Sequence, residues 1–228
     1  MTTVSIIIPA LNEEEGIGKT VRAIPKRQLE KMGYKVQILV VDNGSEDKTG
    51  DLAKKAGAEV VFEPRRGYGR AYKTGFASAR GDIIATADAD RTYPVEEIPG
   101  MIELLEKEDL DFITTNRFAK MDKGAMSRRN KLGNALLNFA LKLLFRINIA
   151  DSQSGMWVFR RSLLNKLVLR SNGMPLSEEL KLEACYFAGS RWKELSIKYR
   201  ARIGKMKLRA WRDGLENLTF LVRKRVVR

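Results

Sequence analysis

The chain has 228 residues, enough for one domain with a substantial core, and its apolar content of 44% is that of a globular protein. It contains no histidine and one cysteine, Cys185. This excludes Ser-His-Asp and Cys-His catalysis, histidine or cysteine metal sites and an intramolecular disulfide. The net charge of +14 is divided unevenly, with a net −3 over residues 1–110 and +17 over 111–228. An acid-leaning half is thus followed by one suited to nucleic acid, anionic lipid or phosphorylated ligands.

The first half alternates with βα regularity. Apolar runs predict strands at 4–9, 37–42, 59–62, 82–88 and 110–115, with helical patterns near 13–24, 47–56, 69–80 and 95–108. Short strands separated by helices imply right-handed crossovers and a mainly parallel sheet. In such sheets ligands bind beyond the carboxyl ends of the strands, and three of these ends are polar or acidic. Asn12-Glu13-Glu14 follows the first, Asp42 closes the second, and Asp88-Ala89-Asp90 follows Ile83-Ile84-Ala85-Thr86-Ala87. Two carboxylates one residue apart can divide their work between a hard divalent cation and a ligand's hydrogen-bond donors. Ser45 is placed to cap a helix beginning near Glu46.

Two glycine-bearing stretches read differently. Gly16-Ile17-Gly18-Lys19-Thr20 lacks the earlier glycine of a P-loop, Glu13 standing in that place, so it is helix interior or edge. Gly67 and Gly69, in Arg65-Arg66-Gly67-Tyr68-Gly69-Arg70, are either a simple turn or a place where backbone and arginines approach a phosphorylated ligand.

Beyond Arg117 the pattern changes. Ser127 to Ile149 reads as a long helix with a polar stripe at Asn130, Asn134, Asn138, Lys142 and Arg146, and basic residues at its entry. Its wide apolar face suits either a membrane interface or packing on the sheet. Asp151-Ser152-Gln153-Ser154-Gly155 reads as a ligand-facing loop leading into an apolar strand. In Leu176-Ser177-Glu178-Glu179, Ser177 can cap a helix whose first turn is acidic. Arg202-Ile203-Gly204-Lys205-Met206-Lys207 offers three cations around a glycine, suited to a diphosphate. From Arg209 to Arg228, Trp211, Leu215, Leu218 and Val222 share one side, ahead of Arg223-Lys224-Arg225. No signal peptide precedes the first strand, and no apolar run reaches the roughly 20 residues a membrane span needs. A cytoplasmic protein, peripheral on the inner face of the membrane, is expected.

Taken in order, these pieces resemble family-2 glycosyltransferases of the GT-A fold, an α/β class, and among them the polyprenyl-phosphate hexosyltransferases such as dolichyl-phosphate mannose or glucose synthases. The resemblance rests on the stretches Ile7 to Glu13, Val41 to Thr49, Gly67 to Ala71, Asp88 to Asp90, Asn116 to Phe118, Asp151 to Gly155 and Arg202 to Lys207. It implies a nucleotide-sugar-binding half (1–118), an acceptor-binding half of the same domain (119–208, with the amphipathic helix near 127–149) and a basic C-terminal helix (209–228). It further implies that Pro9, Asn12, Glu13 and Asp42 line the base and ribose pocket, with Gly67 and Gly69 nearby. Asp88 would contact ribose or sugar and share with Asp90 the binding of Mg²⁺ or Mn²⁺. Arg117, Arg202 and Lys205 would neutralise phosphates, and Asp151 and Ser154 would face the acceptor. Where some of these synthases carry a metal-binding glutamine, this chain has Thr92. Many relatives also append transmembrane helices, so the amphipathic segments or a membrane-anchoring partner subunit would hold this chain at the bilayer.

The implied reaction is metal-dependent, inverting transfer of a hexose from a UDP- or GDP-sugar to a polyprenyl phosphate. A lipid phosphate, with a second pKa of about 6, needs no protein base. A saccharide or lipid-linked hydroxyl acceptor would need one, and Glu178 or Glu179 are then the candidates. A nucleic-acid partner is not expected: no helix-turn-helix, zinc-finger or RNP-type motif occurs, and the paired aspartates would repel a phosphate backbone.

Overall fold

The computed structural model describes residues 1–205, 207 and 210–227. In chain order the first half comprises β1 (Thr3–Ala10), α1 (Ile17–Ala23), α2 (Lys26–Lys31), β2 (Lys35–Asp42), α3 (Thr49–Lys55), β3 (Glu59–Phe62), α4 (Tyr68–Ser78), β4 (Ile83–Thr86) and α5 (Ile98–Lys107). There follow β5 (Phe112–Met121), α6 (Arg128–Phe145), β6 (Val158–Arg160), α7 (Leu176–Leu182), β7 (Trp192–Tyr199) and α8 (Ala210–Val226). The strands form one seven-stranded sheet in the order β3-β2-β1-β4-β6-β5-β7. β6 runs antiparallel to β4 and β5, and the other neighbouring pairs are parallel.

Helices cover both faces, so the inner strands are buried on both sides and alternate between two cores. Val4, Ile6, Ile8, Ile38, Val40 and Ile83 face the core beneath α1, α2, α3 and α5. Ile7, Leu39, Val41, Ile84 and Phe159 face the other, shared with Tyr72, Phe76, Leu176 and Leu180 of α4 and α7. Each such side chain contributes roughly 1.5–3 kcal/mol on burial. A third cluster joins Leu137, Leu141 and Phe145 of α6 to Leu182 and to Leu221 of α8.

Several local expectations are corrected. The helical pattern over 13–24 becomes a helix only from Ile17, with Gly16 as its N-cap, and Pro25 then caps α2. Ser45 caps nothing: α3 begins at Thr49, and the Ser45 hydroxyl accepts a hydrogen bond from Asn12 N (3.0 Å). Ser177 lies inside α7, where its hydroxyl donates to Ser154 O (3.1 Å) rather than to a helix terminus. The expected 82–88 strand stops at Thr86, freeing the aspartates for a loop. The expected 110–115 strand extends to Met121, so β5 runs through the proposed 118/119 boundary, and β7 of the second half pairs with it.

The helix expected near 127–149 forms as α6, capped by Ser127, whose hydroxyl accepts from Asn130 N (3.2 Å), and closed by Arg146 in the left-handed region (φ 56°). Its polar stripe is divided: Asn138 turns inward to the loop at 150–152, whereas Lys142 and Arg146 are exposed. Its apolar residues divide between two sides. Leu137, Leu141 and Phe145 are core, whereas Leu132, Leu136, Phe139 and Leu143 are exposed. On α8, Trp211, Leu215, Leu218 and Val222 are likewise exposed. Lys224 anchors α8 to the segment after Leu182, 2.7 Å from buried Glu183. Among the described residues no helix is long and apolar enough to cross a membrane.

Candidate active site

The sheet order reverses between β1 and β4. From β1 the chain steps outward to β2 and β3, then returns through α4 to β4 on the other side of β1. That switch point opens a crevice at the carboxyl ends of the two strands, where Pro9–Glu13 and Asp88–Asp90 emerge.

Two cavities meet there. One, of about 420 Å³, is lined by Pro9, Glu13, Asn43, Gly67 and Lys207. The other, of about 280 Å³, is lined by Arg117, Tyr93, Tyr199, Leu132, Leu136 and Trp211. Asp88, Asp90, Arg202, Tyr68 and Met174 border both.

Asp90 is nearly buried, and its two oxygens are distinguished. Oδ1 accepts from Thr92 N (3.0 Å) and the Thr92 hydroxyl (2.6 Å), while Oδ2 lies 3.1 Å from Arg202 Nη2. Arg91 adopts a left-handed conformation (φ 67°) that turns the chain between them. Asp88 receives no hydrogen bond from the described residues. Burial, then the charge of Asp90, push its carboxyl up to about 7, against the pull of Arg117 and Arg202. Among the described residues no cluster of three or more acidic or cysteine ligands exists. Two carboxylates at one crevice nevertheless fit a hard cation that takes its remaining oxygens from a diphosphate and water.

Glu13 Oε1 is held by Arg202 Nη2 (2.9 Å) and Lys207 Nζ (2.5 Å), and its Oε2 is buried without a partner. Burial raises its pKa despite these cations. Segment 200–205 is tied to the crevice by Ile203 N donating to Asp90 O (2.9 Å) and Arg200 N to Thr92 O (3.0 Å).

Arg117 is fixed more firmly still. Its Nε and Nη2 donate to Asp151 Oδ2 (2.7 Å) and Oδ1 (2.8 Å), and its backbone N–H donates to Oδ2 (3.0 Å). Burial disfavours its charge, but Asp151 outweighs this and raises its pKa. The same pairing depresses Asp151 although burial acts the other way. The Tyr199 ring sits 5.3 Å from the guanidinium carbon. Nη1 has no hydrogen-bond partner among the described residues, and Arg117 borders the smaller cavity.

The structure thus brings Pro9, Glu13, Gly67, Asp88, Asp90, Arg117 and Arg202 to the two cavities. It does not place Asn12, Asp42, Gly69, Asp151, Ser154, Glu178, Glu179 or Lys205 on their walls. Asn12 and Asp42 are loop fasteners: Asn12 Oδ1 accepts from Glu46 N (2.8 Å) and Asp42 Oδ1 from Ser45 N (2.9 Å). Gly67 (φ 152°) and Gly69 are needed because the carbonyls of Asn172 and Ser171 occupy the room a Cβ would take, and Gly67 also borders the larger cavity. Asp151 is fully buried with its carboxylate committed to Arg117, and the Ser154 hydroxyl pairs with that of Thr115 (2.6 Å). Glu178 is buried against the Ser152 hydroxyl (3.3 Å), and burial pushes its carboxyl up to about 8. Glu179 Oε2 accepts from Arg170 N and Ser171 N. Lys205 is exposed, and Lys207 on the same segment reaches Glu13.

Sequence reasoning missed Asn43 and the tyrosines. Asn43 ties β2 to the glycine loop by accepting from Gly67 N (2.7 Å) and donating to Arg65 O (2.9 Å). Tyr68 stood inside the glycine stretch. Tyr93 and Tyr199 carry no spacing signal, since the sheet brings them together.

A crevice at the switch point of an α/β sheet, with paired aspartates facing fixed arginines, is suited to a phosphorylated ligand. Residues 5–168 match the family model "Glycosyl transferase family 2", and the chain belongs to that family of glycosyltransferases. It is 33% identical over 225 residues to the low-salt glycan biosynthesis hexosyltransferase Agl6 of Haloferax volcanii, covering 96% of this chain and 53% of that protein, about half its length. It is 29% identical over 210 residues to a dolichyl-phosphate hexose transferase of the same organism, covering 92% and 88%. The fold matches glucosyl-3-phosphoglycerate synthase of Mycobacterium tuberculosis, crystallised with Mn²⁺, UDP-glucose and phosphoglyceric acid. The TM-score is 0.77 at 22% identity, over 98% of this chain and 79% of that one, which establishes the GT-A fold.

Proposed function

We propose that the chain transfers a hexose, with inversion, from a UDP- or GDP-sugar to a polyprenyl phosphate at the cytoplasmic face of a membrane. One observation carries this reading: a single cavity is bordered by Asp88, Asp90, Arg117 and Arg202 and also by the exposed apolar Leu132, Leu136 and Trp211. A phosphate with an apolar tail fits such a passage from charged floor to greasy rim. Dolichyl phosphate stands in the name of one relative. Undecaprenyl phosphate stands in that of another, a 4-deoxy-4-formamido-L-arabinose transferase of Pseudomonas fluorescens that is 30% identical over 76% of this chain.

In this reading the larger cavity takes the nucleotide and the diphosphate lies over the aspartates. Asp90 Oδ2, with Asp88, would hold Mg²⁺ or Mn²⁺, which supplies neutralisation of the leaving diphosphate. Arg202 and Lys207 exchange their carboxylate partners for phosphate oxygens, keeping positive charge where negative charge develops. Arg117 offers Nη1 to the acceptor phosphate, its other nitrogens being held by Asp151. That phosphate, with a second pKa of about 6, is nucleophilic at neutral pH. The burial of Glu178 and Glu179 away from both cavities favours an acceptor that needs no protein base over a hydroxyl. The exposed rows of α6 and α8, flanked by Arg128, Arg129, Lys131, Arg223 and Arg225, suit an anionic bilayer surface, alone or beside an anchoring subunit, rather than nucleic acid.

The test is transfer from a panel of UDP- and GDP-sugars to polyprenyl phosphate in liposomes with Mg²⁺ or Mn²⁺. Sugar in the lipid phase, abolished by EDTA, is expected. Donor binding with sugar found only on an added saccharide would sink the lipid-phosphate reading.

A further inference from the structure

Asp151 sits in a loop whose main chain is held by side chains of three separate elements. From α6, Asn138 straddles it, Nδ2 donating to Ala150 O (2.6 Å) and Oδ1 accepting from Ser152 N (2.9 Å). From β7, Glu194 accepts from Ala150 N (2.9 Å) and Asp151 N (3.0 Å) with its two oxygens. From α7, the fully buried Lys181 donates to Asp151 O (2.6 Å). Most exposed loops leave such groups to water. Here five consecutive main-chain groups, from Ala150 N to Ser152 N, each have a side-chain partner. Beyond the loop itself, where Gln153 N also donates to Asp151 Oδ1 (3.2 Å), this bracing serves the Arg117 guanidinium, which Asp151 grips by two nitrogens and the backbone.

We propose that Asn138 and Glu194 are positioning residues for Arg117, acting through the 150–152 loop to hold Nη1 toward the acceptor phosphate. The inference rests on the reading of Arg117 as a phosphate anchor. A bidentate arginine is useful only while its fork is aimed, and displacing a reacting group by about 1 Å can cost on the order of 10²-fold. Asn138→Asp is nearly isosteric but loses the donor to Ala150 O and turns an anion toward it. Glu194→Gln replaces one of two acceptors with a donor facing an N–H. The two changes act on the loop from opposite sides, and neither residue borders the cavities.

The experiment has a structural and a kinetic arm. In the first, solvent exchange of the Arg117 Nε–H is followed by nitrogen-15 NMR, the resonance being assigned by its loss in Arg117→Lys. In the second, KM for polyprenyl phosphate, KM for the sugar nucleotide and kcat are measured separately. Both variants should exchange about tenfold faster or more. Acceptor KM should rise about tenfold, in line with the 10–100-fold effects of partners that orient a binding group, with donor KM unchanged. Exchange as slow as in the parent in both variants would overturn the proposal, as would equal rises in both KM values. Faster exchange with acceptor KM unchanged would leave the positioning intact and overturn the reading of Arg117 as the acceptor's anchor.

Discussion

Thr92 holds Asp90 by one oxygen only: its amide and hydroxyl both donate to Oδ1, leaving Oδ2 to its ion pair with Arg202. The residue that stands where some synthases carry glutamine thus orients the Asp90 carboxylate. Thr92→Val should weaken Mn²⁺ binding about tenfold, with Thr92→Ser restoring it, as titration calorimetry would reveal. Equal affinity in the valine variant would remove this role.

Asp90→Ala should abolish transfer, by on the order of 10²–10³-fold or more, while the protein keeps its circular dichroism and melting point. Arg202, freed on that side, retains Glu13 as a partner at 2.9 Å. Turnover close to the parent's would contradict the role assigned to Asp90.

Leu136, Phe139 and Leu143 are 62%, 65% and 68% exposed, so changing all three to serine should leave thermal stability nearly unchanged. Partitioning onto anionic vesicles should fall about tenfold or more, since each loses roughly 1 kcal/mol or more of apolar burial at the bilayer. A collapse of stability with vesicle binding unaffected would mean that these residues belong to a protein interface.

Glu178 gives stability a slope with pH. Its carboxyl titrates near 8 in the folded chain, because of burial, against 4.5 ordinarily. Below 4.5 it is neutral in both states and costs nothing. As pH rises from there to about 8 the unfolded chain ionises alone, and stability is lost. Glu178→Gln should flatten that slope and be more stable at pH 8 by about 1–3 kcal/mol. Denaturant melts at pH 5 and 8 that shift in parallel for both proteins would count against it.

The βα half was legible because its strands are buried on both faces and read as unbroken apolar runs, with their polar ends marking the crevice. The second half hid itself for two reasons. β7 carries Lys193, Glu194 and Lys198 in its run, as edge strands do, and so lacks an apolar signature. α7 buries Glu178, Glu179 and Lys181, which no amphipathic pattern anticipates. Their partners are the Ser152 hydroxyl, the Asp151 carbonyl, the amides of Arg170 and Ser171, and Lys224, joined only by the fold. Asp88 and Asp90 could be recognised from their strand. That Asp151 serves Arg117 instead of a ligand could not, because the sequence shows a polar loop and not which way it faces.

The antiparallel insertion of β6 has a consequence for how the enzyme is made. Val158–Arg160 pairs with β4 on one side and β5 on the other, so a late segment forms the middle of a sheet begun at residue 3. While the ribosome has yet to deliver it, the edge of β4, four residues from Asp90, stays open and apolar. Long-range pairing of this kind is slow and exposes sticky edges. The side of the crevice next to β4 is therefore walled only once Val158–Arg160 has docked, which ties completion of the site to the second half of the fold.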